Sequence, residues 1–204
     1  MGVNVKREGD FLYLHVSKGK LVNKQKEISA DSYTGRLSKV ERFEDEYEGQ
    51  KVFKIKLTMI DGAETAIITF TEDSWFALGF FTRLNTLLAN TDLDLEKNIT
   101  VGVMPSEQNE KMSFAWMKHG DTKIGKTENF PMPKKVKIGG RGNSGGTEVT
   151  DWSDCYRVYD DIMNRANAVT WTGSGVTPEA ETKTGAAENN STGATPPADD
   201  DLPF

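Results

Sequence analysis

The sequence predicts an all-β body that contains one helix. The clearest strand is Val52–Ile60, in which apolar side chains alternate with lysine and threonine, so that one face is apolar and the other polar. The pair Asp61-Gly62 follows, and its glycine supplies the positive φ that a tight hairpin turn requires. A strand over Glu64–Thr71 comes next, so this region predicts antiparallel β structure.

The period of the apolar residues then changes. Large apolar residues between Trp75 and Leu88 recur at helical spacing, and either Asp73 or Ser74 stands where an N-cap belongs. We therefore expect a helix that ends near Asn90, with Trp75 in the core at its start.

The remaining strand candidates complete a recognisable order. They are Tyr33–Phe43 before the hairpin, and Ile99–Met104 and Met112–Lys118 after the helix. A further hairpin over Phe11–Val22, broken at Ser17–Lys20, leads into the body. Three strands, a helix and two strands is the order of the OB-fold, a five-stranded Greek-key barrel. The sequence therefore predicts an OB-fold with an N-terminal hairpin.

The composition shifts beyond the last of these strands. The basic segment Lys134–Lys137 runs into a Gly-rich stretch, and a short amphipathic helix is expected at about Asp151–Arg165. After Trp171 the chain has too few apolar residues to pack, so it is expected to be disordered. The expected organisation is an OB body with the hairpin and the basic Gly-rich segment (1–146), a short helical extension (147–171), a disordered linker (172–198) and an acidic tip (199–204).

Charge and cysteine content restrict the class of protein. The net charge is −6, but the segment from Thr172 onward contains six acidic residues and one lysine and so carries −5. The preceding 171 residues therefore carry only −1, which is compatible with a basic groove. The single cysteine, Cys155, excludes an internal disulfide and a multi-cysteine zinc site and suits a reducing compartment. No apolar run has the length of a membrane span or of a signal peptide. We expect a cytoplasmic protein without a cofactor and without membrane contact.

The most specific signal is the C-terminal hexapeptide, whose residues are Asp199, Asp200, Asp201, Leu202, Pro203 and Phe204. Leu202 and Phe204 suit an apolar pocket on a partner, and Pro203 limits the entropy lost on binding. Basic residues of that partner would hold the three aspartates and the terminal carboxylate. The alternative is an acidic tail that only increases solubility.

This ending resembles the C-terminal tip of bacterial and bacteriophage single-stranded-DNA-binding proteins (SSBs). That family joins an OB-fold to a polar linker and an acidic, Pro-Phe-terminated tip. The strict match covers Asp199–Phe204, while the strand order and the linker agree with the architecture. The N-terminal hairpin and the helix after the barrel depart from the typical member, so the resemblance is to a divergent, bacteriophage-encoded one whose oligomeric state stays open.

The resemblance implies a protein that is not an enzyme. It would bind and protect single-stranded DNA, without strong sequence preference, during replication, recombination or repair. Its tip would recruit partner proteins of those processes. The alternative is an OB-fold replisome adaptor that acts mainly through protein–protein contacts.

Sequence-neutral DNA binding needs cations for phosphates and aromatic rings for bases. Lys54 and Lys56 lie opposite the apolar set of their strand, although a plain solvated face would look the same. On the preceding strand Arg36 and Arg42 share one parity. All four are expected DNA contacts.

The aromatic candidates lie in two places. Phe43 and Tyr47 are expected in the loop after the first barrel strand, a usual ligand-contact region of OB-folds. Phe114, Trp116 and Lys118 share a face of the last strand, opposite Ala115 and Met117. The same pattern allows Phe114 and Trp116 to be core residues. The predicted DNA-binding residues are Arg36, Arg42, Phe43, Tyr47, Lys54, Lys56, Phe114, Trp116 and Lys118.

Two local motifs in the Gly-rich stretch suggest other chemistry. Gly142–Gly146 looks like the loop around a serine-protease nucleophile, here Ser144, but that chemistry needs a histidine base and an orienting carboxylate. The histidines, His15 and His119, fall on a predicted strand and in a loop. Gly140–Gly145 fits G-x-G-x-x-G without a surrounding βαβ unit. The segment is best interpreted as a flexible basic linker, and no metal-ligand constellation is expected.

Overall fold

The computed structural model describes residues 11–138 and 147–173. These residues form eleven strands and two helices, which confirms the expected all-β body with a helix. The strands are β1 (Phe11–Ser17), β2 (Lys20–Asn23), β3 (Ile28–Ala30), β4 (Ser32–Tyr47), β5 (Gln50–Asp61), β6 (Glu64–Thr71), β7 (Ile99–Pro105), β8 (Ser113–His119), β9 (Thr122–Lys123), β10 (Lys134–Ile138) and β11 (Thr147–Asp151). The helices are α1 (Trp75–Leu88) and α2 (Ser153–Ala168).

Nine of the described strands form one curled sheet, in the order β3-β2-β1-β6-β5-β4-β7-β8-β9. The five strands predicted for the body, β4 to β8, are consecutive neighbours in it. The expected N-terminal hairpin is confirmed as β1 and β2, and it extends the sheet because β1 pairs with β6 in parallel, with Leu14 opposite Ile68.

The alternating pattern of β5 behaves as predicted. Ile55, Leu57 and Met59 have no exposed surface, whereas Lys54 and Lys56 lie on the opposite, outer face. The helix α1 begins where its cap was expected, since Ser74 Oγ accepts a hydrogen bond from Ala77 N at 3.1 Å. Its buried aromatic residues close the core of the curled sheet, and they are Phe76, Phe80 and Phe81.

The strand β4 is longer than the sequence indicates. The strand was expected to end at Phe43 and to be followed by a loop, but β4 continues through an acidic run to Tyr47, and only Glu48-Gly49 turns, with φ of +52° and +76°. The acids are stable in a strand because the neighbouring strand β5 carries lysines within reach of them. Two of the carboxylates, Glu44 and Asp45, hold such lysines at 2.8 Å and 2.5 Å.

The helix α2 packs into the same core as the sheet. It was expected at Asp151–Arg165 and is confirmed with bounds two to three residues later. Tyr159 stacks on Phe81 of α1 with 4.1 Å between ring centroids. Asn167 binds the free edge of β4, accepting from Val40 N at 2.9 Å and donating to Val40 O at 2.7 Å. The hairpin β10–β11 joins the body to α2, so residues 147–171 complete the core.

Candidate nucleic-acid interface

The outer face of β5 carries the two lysines that the sequence predicts as DNA contacts. In the β5–β6 register Lys54 lies opposite Thr71 and Lys56 opposite Thr69, so small polar side chains flank both. Each ammonium has a carboxylate from β4: Lys54 Nζ lies 2.5 Å from Asp45 Oδ2, and Lys56 Nζ lies 2.8 Å from Glu41 Oε1. The lysines are therefore outward and accessible, but their charge is locally compensated.

The carboxylates are correspondingly stabilised in their ionised form. The hydrogen bond from Lys54 lowers the pKa of Asp45 below its usual value. Hydrogen bonds from Lys39 and Lys56 lower the pKa of Glu41. Both acids are ionised at neutral pH, so an incoming phosphate must compete with them for the lysines.

The expected common face of Arg36 and Arg42 is wrong, because a β-bulge intervenes. Arg36 pairs with Ile60, but the register shifts after Leu37, and Arg42 then lies opposite the buried Ile55. Arg36 stays on the outer face, where its Nη1 donates to Trp171 O at 3.3 Å.

Arg42 instead ties three elements together. It forms an ion pair with the buried Glu72 at the end of β6 and another, of 3.1 Å, with Asp160 Oδ1 on α2. Its guanidinium also lies 5.8 Å from the ring centroid of Tyr156. Burial raises the pKa of Glu72, and Arg42 opposes that shift. Arg42 thus holds α2 against the sheet.

The two aromatic residues expected in the first loop lie on β4. Phe43 pairs with Lys54 and is half-buried beside it on the outer face. Tyr47 is the last residue of β4, next to the tight turn, and is largely exposed. Their assignment to a loop was wrong for the reason given above, that the acidic run pairs with β5.

The aromatic pair on β8 points away from the core. Ala115 and Met117 are buried, whereas Phe114 and Trp116 are half-buried on the other side and Lys118 is exposed. Trp116 lies across Gly102 of β7, where an added Cβ would be 1.9 Å from the indole Cε2. In the sheet, β4 and β7 separate β5 from β8. The predicted residues therefore form two groups, one on β4–β5 and one on β8.

A cleft of about 410 Å³ was not predicted from the sequence. Its walls are the β1–β2 turn, the junction between β6 and α1, and the β7–β8 loop. Lys18, Lys111, Thr71 and Trp75 line it, together with one carboxylate, that of Asp73. Among the described residues neither lysine has an ion pair. The hairpin is fixed there because Gly19 N donates to Ser113 Oγ at 2.9 Å.

This cleft lies between the two predicted groups. Thr71 is the cross-strand neighbour of Lys54, so one end of the cleft continues into the β5 face. Trp75 also lines a second pocket, between α1 and β8, to which Phe114 contributes. The cleft forms because the segments around Gly19 and Ser113, which are 94 residues apart, come into contact. The spacing of residues in the sequence therefore does not reveal it.

The outer face of β1 adds aromatic residues that the sequence reasoning also missed. Tyr13 is 57% exposed and Phe11 42%, and β1 lies beside β6 in the sheet. His15 pairs with Thr69 of β6, and burial, followed by the positive charges of Lys24 and Lys54, lowers its pKa. The alternation Phe11, Tyr13, His15 in the sequence is the signal that identifies this face.

Comparison with family models, with curated proteins and with solved structures gives no match to this chain. Neither described helix is long and apolar enough to cross a membrane. Within residues 11–138 and 147–173, no group of three His, Cys, Asp or Glu side chains is arranged to hold a metal ion.

The buried His119 contacts Asp94 O through Nε2 at 2.8 Å.

Several predictions fall on segments outside the described residues. These are the acidic tip Asp199–Phe204, the linker from residue 174 onward, and the Gly-rich stretch with Ser144. The described chain ends at Gly173, just after Thr172 N donates to Leu95 O at 3.0 Å.

Proposed function

We propose that this protein is an OB-type, non-enzymatic single-stranded-DNA-binding protein of replication, recombination or repair. The β4–β5–β6 face and the adjoining cleft would hold the strand, and the tip Asp199–Phe204 would recruit partner proteins. The oligomeric state is left open. This is the function that the sequence resemblance and the surface described above support best.

The strand order supports the OB-type assignment. The succession β6-β5-β4-β7-β8 is the order of the third, second, first, fourth and fifth strands along an opened OB sheet, with α1 inserted after the third. In such folds oligonucleotides bind on the second and third strands and on the loops after the first and fourth. Here those are β5 and β6, the turn Glu48-Gly49, and the loop between β7 and β8 that carries Lys111.

The observation that carries the proposal is that the β5 lysines and the cleft share Thr71, which pairs with Lys54 and also lines the cleft. A strand that follows Lys56 and Lys54 would pass Thr71 and enter the cleft, which Lys18, Lys111 and the ring of Trp75 also line. Spaced cations for phosphates with rings for bases are what sequence-neutral single-strand binding requires.

The adaptor function is the second candidate, and a specific observation favours it. Both β5 lysines are ion-paired with carboxylates of β4, which leaves that face with little surplus charge. If these pairs persist, the body would bind nucleic acid weakly and the tip would carry the function.

Titration of labelled oligo-dT and of duplex DNA at two salt concentrations tests the proposal. We expect oligo-dT to bind well above duplex of equal length, with affinity that falls as salt rises because counterions are released. Equal affinity for duplex, or no binding at low salt, would leave the adaptor function. Ser144→Ala should change nothing, since no hydrolytic step is involved.

The tip is tested separately by pull-down against replication proteins of the host. Deletion of Asp199–Phe204 should abolish capture while oligo-dT binding remains. Phe204→Ala removes the ring but keeps the charges, so it should also lose most capture. If Phe204→Ala captures as much as the wild type, the tail is only an acidic solubiliser.

A further inference from the structure

A second pocket, of about 210 Å³, lies between α1 and β8. Its apolar lining includes Trp75, Met104, Phe114 and Met132, and two cations, Arg83 and Lys126, also line it. The helix and the strand touch at Gly79, where an added Cβ would lie 3.2 Å from Ala115 N. The pocket is the space left open beside this close contact.

Arg83 is a buried cation without a carboxylate. It is 8% exposed, and its only hydrogen bond among the described residues runs from Nη1 to Gly79 O at 2.9 Å. Nε has no partner there, and no described acid forms an ion pair with Arg83. Burial lowers its pKa, with no opposing charge. A desolvated guanidinium with spare donors destabilises the fold unless something accepts from it.

We propose that this pocket captures one unstacked base of the bound strand, with the ring against Phe114 and its acceptor atoms on Arg83. The inference rests on the proposed single-strand binding and assigns it a specific base site. Once bound, the base supplies the acceptors that Arg83 lacks in the free protein.

Three observations favour a base over other occupants. The pocket and the cleft both use Trp75 as a lining residue, so the pocket adjoins the site proposed for the strand. Aromatic and methionine side chains form walls that suit a flat ring. The donor fork of an arginine matches O6 and N7 of guanine, whereas adenine offers a donor beside its N7. Guanine is therefore the expected preferred base, and the exposed Lys126 is suitable for its phosphate.

The experiment isolates one base from the backbone. A short strand of abasic sites is compared with the same strand carrying a single guanine, adenine or thymine. The wild type should bind the guanine strand roughly tenfold or more above the wholly abasic strand, and above the adenine strand. A guanine analogue without N7 should lose part of that gain.

Three variants assign the gain to the pocket. Arg83→Leu should remove the guanine preference while thermal stability holds or rises, because an unpaired buried charge is replaced by an apolar side chain. Phe114→Leu should lower the gain from any base about tenfold or more. Arg157→Leu is the matched control, since Arg157 is exposed on α2 and lines neither pocket.

The outcomes separate this inference from the proposed function. If the wild type binds oligo-dT but a single base adds nothing to the abasic strand, base capture is wrong and single-strand binding stands. If a labelled acidic peptide with an aromatic end binds in an Arg83-dependent way and bases do not, the pocket is a peptide site. If Arg83→Leu fails to fold, base capture is still tested by Phe114→Leu and by the comparison of strands that carry one guanine, adenine or thymine. If oligo-dT itself does not bind, the proposed function fails first.

Discussion

Replacing Lys54 and Lys56 together by alanine should weaken single-strand binding and flatten its salt dependence. Each lysine that neutralises a phosphate of a single strand contributes roughly 0.7 to the slope of log affinity against log salt, so two contribute about 1.4. Between roughly 50 and 200 mM salt, a slope contribution of that size corresponds to about a sevenfold change in affinity. Over that range, the factor by which affinity falls should therefore be about seven times smaller for the double variant than for the wild type.

The same ion pairs predict the opposite effect for their acidic partners. Because Asp45 and Glu41 hold the two ammonium groups, phosphate must displace them. Exposed pairs of this kind are weak, so Glu41→Gln with Asp45→Asn should tighten binding by roughly twofold to thirtyfold. The two double variants thus move the affinity in opposite directions from one site.

Fluorescence anisotropy of labelled oligo-dT over a salt series measures both effects, with a thermal melt to show that each variant is folded. The matched control is Lys97→Ala with Lys135→Ala, because each of these lysines is also paired with a carboxylate but lies off the path proposed for the strand. An unchanged salt slope for the Lys54 and Lys56 variant, beside an unchanged control, would refute the contact between this face and phosphate.

Three further predictions concern the fold. Gly102→Ala should lower stability by about 1–3 kcal/mol in thermal unfolding, because the new Cβ overlaps the Trp116 indole; Gly125→Ala, where nothing lies within 4 Å, is the control. Asn167→Ala should cost about 1–2 kcal/mol in urea unfolding, since two hydrogen bonds to Val40 are lost, while Asn164→Ala on the same helix should be near neutral; equal effects would refute the edge role. Burial and then Asp154 raise the pKa of the Cys155 thiol to about 11, so a thiol reagent should label native protein far more slowly than urea-unfolded protein. The unfolded thiol ionises first, so stability should fall between about pH 9 and 11, and rapid native labelling would contradict the burial.

The local elements could be predicted from the sequence because their signals are local. The alternation in β5, the glycine after Asp61, and the Ser74 cap each act within a few residues. The end of β4 could not be predicted from the sequence, because an acidic run is stable in a strand only when a neighbouring strand supplies lysines. That neighbour is known only once the strands are paired.

The candidate site was predicted less completely than the fold, for two physical reasons. Parity along β4 is valid until the bulge after Leu37, and the sequence around it carries no evident sign of the extra residue, so Arg42 was assigned to the wrong face. The cleft exists because the β1–β2 turn meets the β7–β8 loop, a contact between distant segments. The outward direction of Phe114 and Trp116 follows from the buried Ala115 and Met117, which the sequence alone left undecided.

The two hydrogen bonds between Asn167 and Val40 can form only late in synthesis of the chain. The two residues are 127 positions apart, and at translation rates of about 5–20 residues per second they emerge roughly 6–25 s apart. During that interval Asn167 is not yet available to the middle of β4, and a free strand edge invites pairing with a neighbouring chain. A slower ribosome therefore lengthens the time during which this edge can pair with another chain.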